Sequence, residues 1–452
     1  MELRDKKVTV VGLGMEGVAL VRFLVRQGAQ VTVSDSKPAE RLTSSLEQIA
    51  GLPVRLSLGG NRPEDATGAD IVFTSPGVPL DIPALAAARE RGVPLSNSMG
   101  LFFDLCPCHF IVGITGSSGK TTTTALVGSI LEAAGDKVFV GGNIGVTLVD
   151  KLAEITPDTR VVLEMSSFQL SIMGQSPRVA AITNITPNHL DQHRSMEEYI
   201  EAKKNIIRFQ GAGDFAVLNA DDPVTRNLVG ETAAHVLLFS QKPIPEGDGV
   251  FLRDNWIILR RKGHETPILP VDRISLLGRH NWENVMTACA IAAACGVSPK
   301  PMAKAVAAFR GIPHRLEWVR ELNGVDYYND SIATTPERAA AALRSFDPPV
   351  VLLAGGRDKH LPLDPLVGEV RQHCKAVVLY GESAPLLEEA LRGAQLADMV
   401  RCQSFSEAVA AAHRIAARGE VVLLSPACTS YDLFEDFQER GREFKRLVWE
   451  LA

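Results

Sequence analysis

The most informative segment of this chain reads Val112-Gly-Ile-Thr-Gly-Ser-Ser-Gly-Lys-Thr-Thr-Thr-Thr-Ala125. An apolar run at 109–114 precedes the glycines and a helical pattern follows them, which indicates a strand, a turn and a helix. Main-chain N–H groups in such a turn, backed by a helix N-terminus, form an anion site that suits a triphosphate. Lys120 would reach the terminal phosphates, and the Thr121 hydroxyl would bind Mg2+. The segment therefore predicts a nucleoside triphosphate site.

The spacing of this segment departs from the usual phosphate-loop motif at one position. Ile114 stands where the motif has its first glycine, with Gly113 before it and Gly116 after it. A plain strand–turn–helix corner with a solvated lysine is the alternative interpretation. Three glycines, a lysine and four threonines in this order favour nucleotide binding.

The size and charge of the chain exclude several classes of protein. At 452 residues it is too long for one hydrophobic core, so we expect two or three domains. The 47 basic and 53 acidic residues give a net charge of −6 without any basic block, which argues against binding of nucleic acid or an anionic membrane. The N-terminus does not resemble a signal peptide, no apolar run is long enough to span a membrane, and seven scattered cysteines suit free thiols. We therefore expect a cytoplasmic protein without membrane insertion. The sequence carries no signal of the oligomeric state, and a monomer is the working expectation.

The first segment, 1–98, has the pattern of a dinucleotide-binding βαβ unit. A strand at 7–11 leads into the turn Gly12-Leu-Gly-Met-Glu-Gly17, and a helix and a second strand follow. Asp35 ends that second strand, close to where an acidic group would meet a ribose hydroxyl. The loop Ser75-Pro-Gly-Val-Pro79 follows a further strand and offers more main-chain donors. Phosphate binding is favoured over glycines that serve packing alone, and the pattern leaves the ligand open.

The second segment, 99–311, and the third, 312–452, also alternate strands with helices. Apolar runs at 160–165 and 179–184 end in polar residues, which in a parallel sheet face the ligand crevice. Glu164, at the first of these ends, is the best-placed carboxylate for Mg2+. The predicted fold is therefore α/β with three domains: an N-terminal Rossmann-like domain, a central phosphate-loop ATPase-type domain and a C-terminal Rossmann-like parallel sheet. The last helix would pack its apolar face into the third core through Leu433, Phe434, Phe437, Phe444, Leu447 and Val448.

Two histidines four residues apart, His189 and His193, raise the question of a zinc site. The glutamate that follows the first histidine in a metalloprotease helix is missing, which disfavours that interpretation. A contact from one histidine to a metal or phosphate is favoured over a zinc site. Taken alone, His189 fits a ligand and a capping residue equally well.

Further motifs run through all three segments in order: Gly113-Ile-Thr-Gly-Ser-Ser-Gly-Lys-Thr121, Gly141-Gly-Asn-Ile-Gly145, Glu164-Met-Ser-Ser-Phe-Gln-Leu170, 184–193, Tyr199-Ile-Glu-Ala-Lys203, Gly278-Arg-His-Asn281, Gly311-Ile-Pro-His-Arg315 and Asn329-Asp-Ser331. In these motifs the chain resembles the Mur ligase family. The ending, 424–434 with Phe437 and Arg440-Gly-Arg-Glu-Phe444, is similar to the member that adds D-glutamate.

The resemblance implies an ATP-dependent acid–amino-acid ligase. It would join D-glutamate to UDP-N-acetylmuramoyl-L-alanine through an acyl phosphate, in the cytoplasmic synthesis of peptidoglycan precursors. The first segment would then bind the UDP of the muramoyl substrate rather than NAD. Another amino-acid ligase of the same family is one alternative. A nucleotide-dependent oxidoreductase is a second, and it would leave the Lys120 turn unexplained.

The resemblance also implies four sets of site residues. Those expected around the UDP substrate are Gly14, Met15, Glu16, Gly17, Asp35, Ser36, Ser75, Pro76, Gly77, Asn143 and Gln169. Those expected at ATP are Gly116, Ser117, Ser118, Gly119, Lys120, Thr121, Thr122, Asn281, Asn284, Arg315 and Asp330. Those expected at D-glutamate are Thr334, Lys359, Ser430, Tyr431 and Phe437. Those expected at Mg2+ are Thr121, Glu164, His189 and, as a carbamate, Lys203.

The residues expected to act in catalysis are Lys120, Glu164, His189, Lys203 and Arg315. One position departs from the family pattern. Many relatives carry a lysine after Asp-Ser, where this chain has Ile332, and no role is transferred to that position.

Overall fold

The structure of the protein, a computed structural model, describes residues 2–142, 148–187, 193–276, 278–347, 349–394 and 396–452. Two of the expected site residues, Asn143 and His189, lie outside these ranges. The chain forms two compact units. The first comprises Met1–Ile274 with Arg279–Ala308, and the second comprises Ser275–Gly278 with Phe309–Ala452.

The first unit begins with a parallel sheet. Its elements are β1 (Lys7–Val11), α1 (Met15–Arg26), β2 (Gln30–Asp35), α2 (Thr43–Gln48), β3 (Val54–Leu58), α3 (Pro63–Thr67), β4 (Ile71–Thr74), α4 (Pro83–Glu90), β5 (Leu95–Ser96) and α5 (Ser98–Leu105). The strand order is β3-β2-β1-β4-β5, with every pair parallel. This order puts the turns after β1, β2 and β4 at one edge, where ligands bind to such sheets.

A second, larger sheet completes the first unit. Its elements are β6 (Ile111–Thr115), α6 (Lys120–Ala133), β7 (Val138–Gly142), β8 (Arg160–Glu164), α7 (Ser167–Leu170), β9 (Val179–Ile182), α8 (Met196–Arg208), β10 (Phe215–Asn219), α9 (Pro223–Asn227), β11 (His235–Ser240), β12 (Gly249–Arg253), β13 (Trp256–Arg261), β14 (His264–Pro270), α10 (Arg279–Ala294) and α11 (Pro299–Ala308). The order is β14-β13-β12-β11-β10-β9-β6-β8-β7. Strand β6 is fully buried between β9 and β8. The turn at 116–119 that follows it, the phosphate turn, therefore starts from the middle of the sheet.

The second unit carries the third sheet. Its elements are β15 (Glu317–Leu322), β16 (Val325–Asn329), α12 (Pro336–Leu343), β17 (Val350–Gly355), α13 (Asp364–His373), β18 (Cys374–Tyr380), α14 (Ala384–Leu391), β19 (Asp398–Arg401), α15 (Phe405–Ile415), β20 (Val421–Ala427) and α16 (Phe437–Glu450). The order is β15-β16-β20-β17-β18-β19, and only the β15–β16 pair at one edge is antiparallel within it. The carboxyl ends of β16, β20 and β17 are therefore neighbours.

The predicted α/β class is confirmed, and the structure adds two details. Strand β12 pairs in parallel with β11, and β13 and β14 then extend this second sheet in antiparallel fashion, which the sequence analysis did not anticipate. The last helix begins at Phe437, where the Asp436 side chain caps it by accepting a hydrogen bond from Glu439 N at 2.7 Å. Leu433 therefore precedes the helix and is 48% exposed, so its expected place in the core is wrong. In the described part of the chain, no helix combines the length and apolar character of a membrane span.

Candidate active site

The turn between β6 and α6 can be built only with glycine at two positions. Gly116 has φ +151° and Gly119 has φ +79°, both in the region that side chains disfavour. A Cβ atom on Gly119 would lie 2.2 Å from Asn284 Oδ1, and one on Gly116 would lie 1.9 Å from Thr183 Oγ1. Bare main chain is therefore presented at the N-terminus of α6, as an anion site requires.

The segment that follows β9 forms several hydrogen bonds with this turn. Ser118 N donates to Asn184 Oδ1 and Ser117 N donates to the Asn184 carbonyl, both at 2.9 Å. Thr183 Oγ1 donates to the Ser118 carbonyl at 2.6 Å, and Ser117 Oγ donates to the Thr186 carbonyl at 2.9 Å. The sequence analysis gave Thr183 and Asn184 no role in the turn. Their position at the polar end of a buried apolar run was the available signal.

Two lysines share one acceptor in the turn. Lys120 Nζ and Lys203 Nζ each donate to the Gly116 carbonyl at 2.9 Å. Lys203 lies on α8, is 1% exposed, and also donates to Thr115 Oγ1 at 3.2 Å. Burial, and then the charge of Lys120, hold the pKa of Lys203 well below its usual range, while Glu164 opposes them. A larger share of Lys203 is therefore the neutral amine, which can react with carbon dioxide.

The oxygen donors near the turn suit Mg2+. Glu164 ends β8 with 3% of its surface exposed, and it interacts electrostatically with Lys203. Thr121 lies in the first turn of α6. A carboxylate and a hydroxyl are ligands that Mg2+ accepts alongside water. Within the described ranges, no group of three or more His, Cys, Asp or Glu side chains is placed to hold a metal ion.

Helix α10 carries Asn281 and Asn284, the two residues of the ATP set that the family resemblance implies at the adenine, beside the turn. Asn284 Nδ2 donates to Asn281 Oδ1 at 2.8 Å, and Asn284 Oδ1 lies 3.5 Å from Thr123 Oγ1 on α6. Asn284 is 6% exposed. Its amide therefore lies against Gly119, and the role of both asparagines towards adenine stays a prediction.

The glycine turn after β1 is fixed by the residues expected at the UDP substrate. Asp35 accepts hydrogen bonds from Leu13 N at 2.7 Å and Lys37 N at 2.8 Å, one on each carboxylate oxygen. Ser75 Oγ donates to the Gly12 carbonyl at 2.8 Å. Asp35 and Ser75 therefore shape the turn directly, and contact of Asp35 with a ribose stays a prediction.

Glu16, in the first turn of α1, contacts residues of α5 and α7. Its carboxylate accepts hydrogen bonds from Ser98 Oγ and, at 3.2 Å, from Gln169 Nε2. Burial raises the pKa of Glu16. Gln169 in turn accepts a hydrogen bond from Ser166 N at 2.9 Å in the capping box of α7. Two residues expected at the substrate are thus paired with each other.

A cavity of about 820 Å³ lies within the first unit. One wall is the loop 74–81, including Ser75, Pro76 and Gly77, and the other is formed by α7 and α8. His193 lines it as well, stacked on the Phe168 ring at 4.9 Å and within 2.9 Å of Ser167 Oγ through Nε2. The cavity is large enough for the sugar–peptide part of a nucleotide-linked substrate.

In the second unit, Asp330 is buried at the end of β16. It accepts hydrogen bonds from Ser425 Oγ at 2.8 Å and Leu316 N at 3.2 Å. Burial raises its pKa to about 7, against the opposing effects of these bonds and of Arg315 and Arg338. Arg315 itself is exposed.

The residues expected at D-glutamate lie in the segments that follow strands β16, β17 and β20 of the second unit. Lys359 Nζ donates to Thr334 Oγ1 at 3.2 Å, so the structure brings these two together. Ser430 is 2% exposed, whereas the side chain of Tyr431 is 63% exposed. Phe437 begins α16.

Three family models match this chain in order. They are the Mur ligase MurD-like N-terminal domain at 6–97, the Mur ligase middle domain at 114–292 and the Mur ligase glutamate ligase domain at 314–428. The chain is 46% identical to the UDP-N-acetylmuramoylalanine--D-glutamate ligase of Symbiobacterium thermophilum, over 99% of both chains. The chain belongs to the Mur ligase family.

Other relatives support the same family assignment. The UDP-N-acetylmuramoylalanine--D-glutamate ligase of Acetivibrio thermocellus is 44% identical, over 99% of this chain and 97% of that protein. The crystal structure of the UDP-N-acetylmuramate-alanine ligase MurC from Thermotoga maritima aligns with a TM-score of 0.55 over 98% of this chain and 99% of that one. At 22% identity that likeness concerns the fold alone. The predicted family is confirmed, which favours a ligase over an oxidoreductase.

Proposed function

We propose that this Mur ligase joins D-glutamate to UDP-N-acetylmuramoyl-L-alanine with cleavage of ATP to ADP and phosphate, in peptidoglycan precursor synthesis. The observation that carries the proposal is the 46% identity, over 99% of both chains, to a protein of that name. The phosphate turn with its two lysines supports the use of ATP. The pairing of Lys359 with Thr334 supports a site for a free carboxylate.

The reaction needs an activated carboxylate, because a carboxylate is a poor electrophile. The L-alanyl carboxylate attacks the γ-phosphorus of ATP, ADP leaves, and an acyl phosphate forms. Lys120 neutralises charge on the transferred oxygens. The neutral amine of D-glutamate then attacks the acyl carbon, and phosphate leaves with the C–O bond electrons as the amine proton is lost.

Mg2+ would supply charge neutralisation at the phosphates. Thr121, Glu164, His189 and Lys203 would hold it, with Lys203 as a carbamate. The low pKa of Lys203 supports this modification, because carbon dioxide adds to the neutral amine and releases a proton. The resulting carbamate replaces the cationic ammonium group of Lys203 with an anionic oxygen that can bind Mg2+.

The remaining assignments complete the proposal. The UDP part of the substrate would bind at the turns after β1, β2 and β4, and its sugar–peptide end in the 820 Å³ cavity. The domains would be 1–98 for the UDP substrate, 99–311 for ATP and 312–452 for the amino acid. The enzyme would act as a cytoplasmic monomer on small molecules, without a nucleic acid partner.

Phosphate release from ATP tests the function. With UDP-N-acetylmuramoyl-L-alanine present, D-glutamate should stimulate release, and L-glutamate, lysine and diaminopimelate should not. Stimulation by another of these amino acids would reassign the chain within the family. No release with any of them would overturn the proposal.

A further inference from the structure

One arginine of the second unit is completely enclosed. Arg440 on α16 is 0% exposed. The hydrogen bonds described for its guanidinium all end on neutral oxygens, at distances of 2.9–3.4 Å. The acceptors are Ser331 Oγ and the carbonyls of Ser331, Gly355, Cys428 and Thr429. Burial of a cation is costly, and here the cost is offset by hydrogen bonds from the guanidinium to several acceptors.

The acceptors of Arg440 lie at the carboxyl ends of three neighbouring strands. Ser331 follows β16, Gly355 ends β17, and Cys428 follows β20, which lies between those two strands. Among the side-chain hydrogen bonds of the described part of this unit, only those of Arg440 link all three strand ends. The planar guanidinium, with donors in a fixed fork, therefore sets the spacing of the three loops that begin there.

Those loops carry the amino-acid residues of the proposed function. Thr334 lies three positions after Ser331, Lys359 four after Gly355, and Ser430 directly after Thr429. The first two meet through the Lys359–Thr334 hydrogen bond. Thr429 also exchanges main-chain hydrogen bonds of 3.0 Å with Arg357 in both directions.

We propose that Arg440 is a positioning residue for the incoming amino acid. It does not contact the substrate, because it has no exposed surface, and acts through the loops that hold Thr334, Lys359 and Ser430. This inference rests on the proposed function for the identity of the amino acid. It adds to that function a determinant of amino-acid affinity located beneath the site.

The test separates the three substrates by their KM values. Arg440→Lys keeps the charge but loses the fork, so it should raise the KM for D-glutamate by about tenfold or more. The KM for the muramoyl substrate should stay within about twofold, since that ligand is assigned to loops of the first unit. The KM for ATP should rise less than that for D-glutamate, since Asp330 is the one expected ATP contact that adjoins Ser331, an acceptor of Arg440. Ser331→Ala removes one acceptor of Arg440, and also the hydrogen bond that Ser331 Oγ donates to the Phe437 carbonyl at 2.8 Å, with little loss of core volume. It should raise the KM for D-glutamate by about threefold.

The matched control is Val448→Ala, on the same helix, at a residue that is also 0% exposed. It should lower the Tm and leave all three KM values unchanged. Equal effects of Arg440→Lys and Val448→Ala on the three KM values, at similar loss of Tm, would reduce Arg440 to a structural residue. Should Arg440→Lys not fold, an unchanged KM in Ser331→Ala overturns the inference.

Hydrogen exchange gives a readout that does not depend on the reaction. Arg440→Lys should speed amide exchange at 356–359 and 429–431 but not in α13 or α14, and unchanged exchange in those loops overturns the inference. The amino acid that the wild-type enzyme accepts distinguishes a failure of this inference from a failure of the proposed function. If it accepts an amino acid other than D-glutamate, the proposed function fails, and the KM for that amino acid must show the same split.

Discussion

The phosphate turn of the first unit and the strand-end loops of the second unit both present a ligand edge, yet they are fixed by opposite means. The turn owes its shape to main-chain geometry, with two glycines at positive φ and several neighbouring groups against it. The loops owe theirs to one side chain, Arg440, which spans three strand ends. The first device appears in the sequence as a motif, whereas the second is a single arginine in a helix. Arg440 belongs to the C-terminal motif that carries the family resemblance, but that motif gave no sign that Arg440 links three strand ends.

The largest effect that separates the two regions is expected at Lys120. Lys120→Ala removes the charge that opposes the developing phosphoryl charge, so kcat should fall by roughly a hundredfold to a thousandfold, about 3–4 kcal/mol. Steady-state phosphate release measures it. Lys300→Ala, at an exposed lysine of α11, is the control and should leave kcat unchanged. Near-normal turnover in Lys120→Ala would mean that the turn does not hold the reacting phosphates.

A smaller effect tests whether the turn depends on its glycines. Gly119→Ala meets both a positive φ and Asn284 Oδ1 at 2.2 Å, whereas Gly135→Ala meets a positive φ in open space. We expect a loss of about 2 kcal/mol in the free energy of unfolding for the first and about 1 kcal/mol for the second. Denaturant unfolding measures both, and ATP affinity should fall only in Gly119→Ala. Equal losses would show that Asn284 moves aside freely.

The second unit should show a pH dependence that comes from a buried carboxyl group. The folded pKa of Asp330 is about 7, above its unfolded value of about 3.9. The proton that folded Asp330 retains therefore stabilises the protein fully below about pH 4, and this contribution is lost as the pH rises through 7. Relative to Asp330→Asn, the wild type should lose up to about 1.4 kcal/mol per pH unit across this window. Calorimetry from pH 4 to 8 measures it, and a flat difference would mean that Asp330 is ionised throughout.

The smallest effect is expected at Arg446, on the same helix as Arg440. Arg446 is exposed and forms ion pairs with Glu443 and Glu450, whereas Arg440 is buried on neutral oxygens. Exposed pairs contribute little because water and salt screen them. Arg446→Ala should therefore leave the Tm unchanged in a thermal melt. A marked drop would contradict the view that burial, rather than pairing, makes Arg440 decisive.

Local patterns predicted most of the fold. The strand at 7–11 has its predicted bounds, and the strand–turn–helix at Lys120 is where the glycines put it. The predicted start of α16 was wrong, because the helical spacing of apolar residues extends N-terminal to Asp436, the residue that caps the helix. The antiparallel strands β13 and β14 carried no signal that separated them from other short apolar runs.

Long-range contacts in the site were not predictable from one sequence. Asn184 reaches Ser118 across 66 positions, and Gln169 reaches Glu16 across 153. Arg440 reaches Ser331 across 109. Each pairs ordinary polar residues whose partners depend on how the strands are ordered in the sheet. The sequence could name the residues near a ligand edge, but not the bonds that hold them there.

The two bonds accepted by Asp35 have a consequence for ligand affinity. Leu13 N and Lys37 N lie in the loops after β1 and β2, and Asp35 ties both down as the chain folds. The conformational entropy of those loops is therefore lost during folding. A nucleotide that arrives later meets a preorganised surface and keeps more of its contact energy as binding free energy.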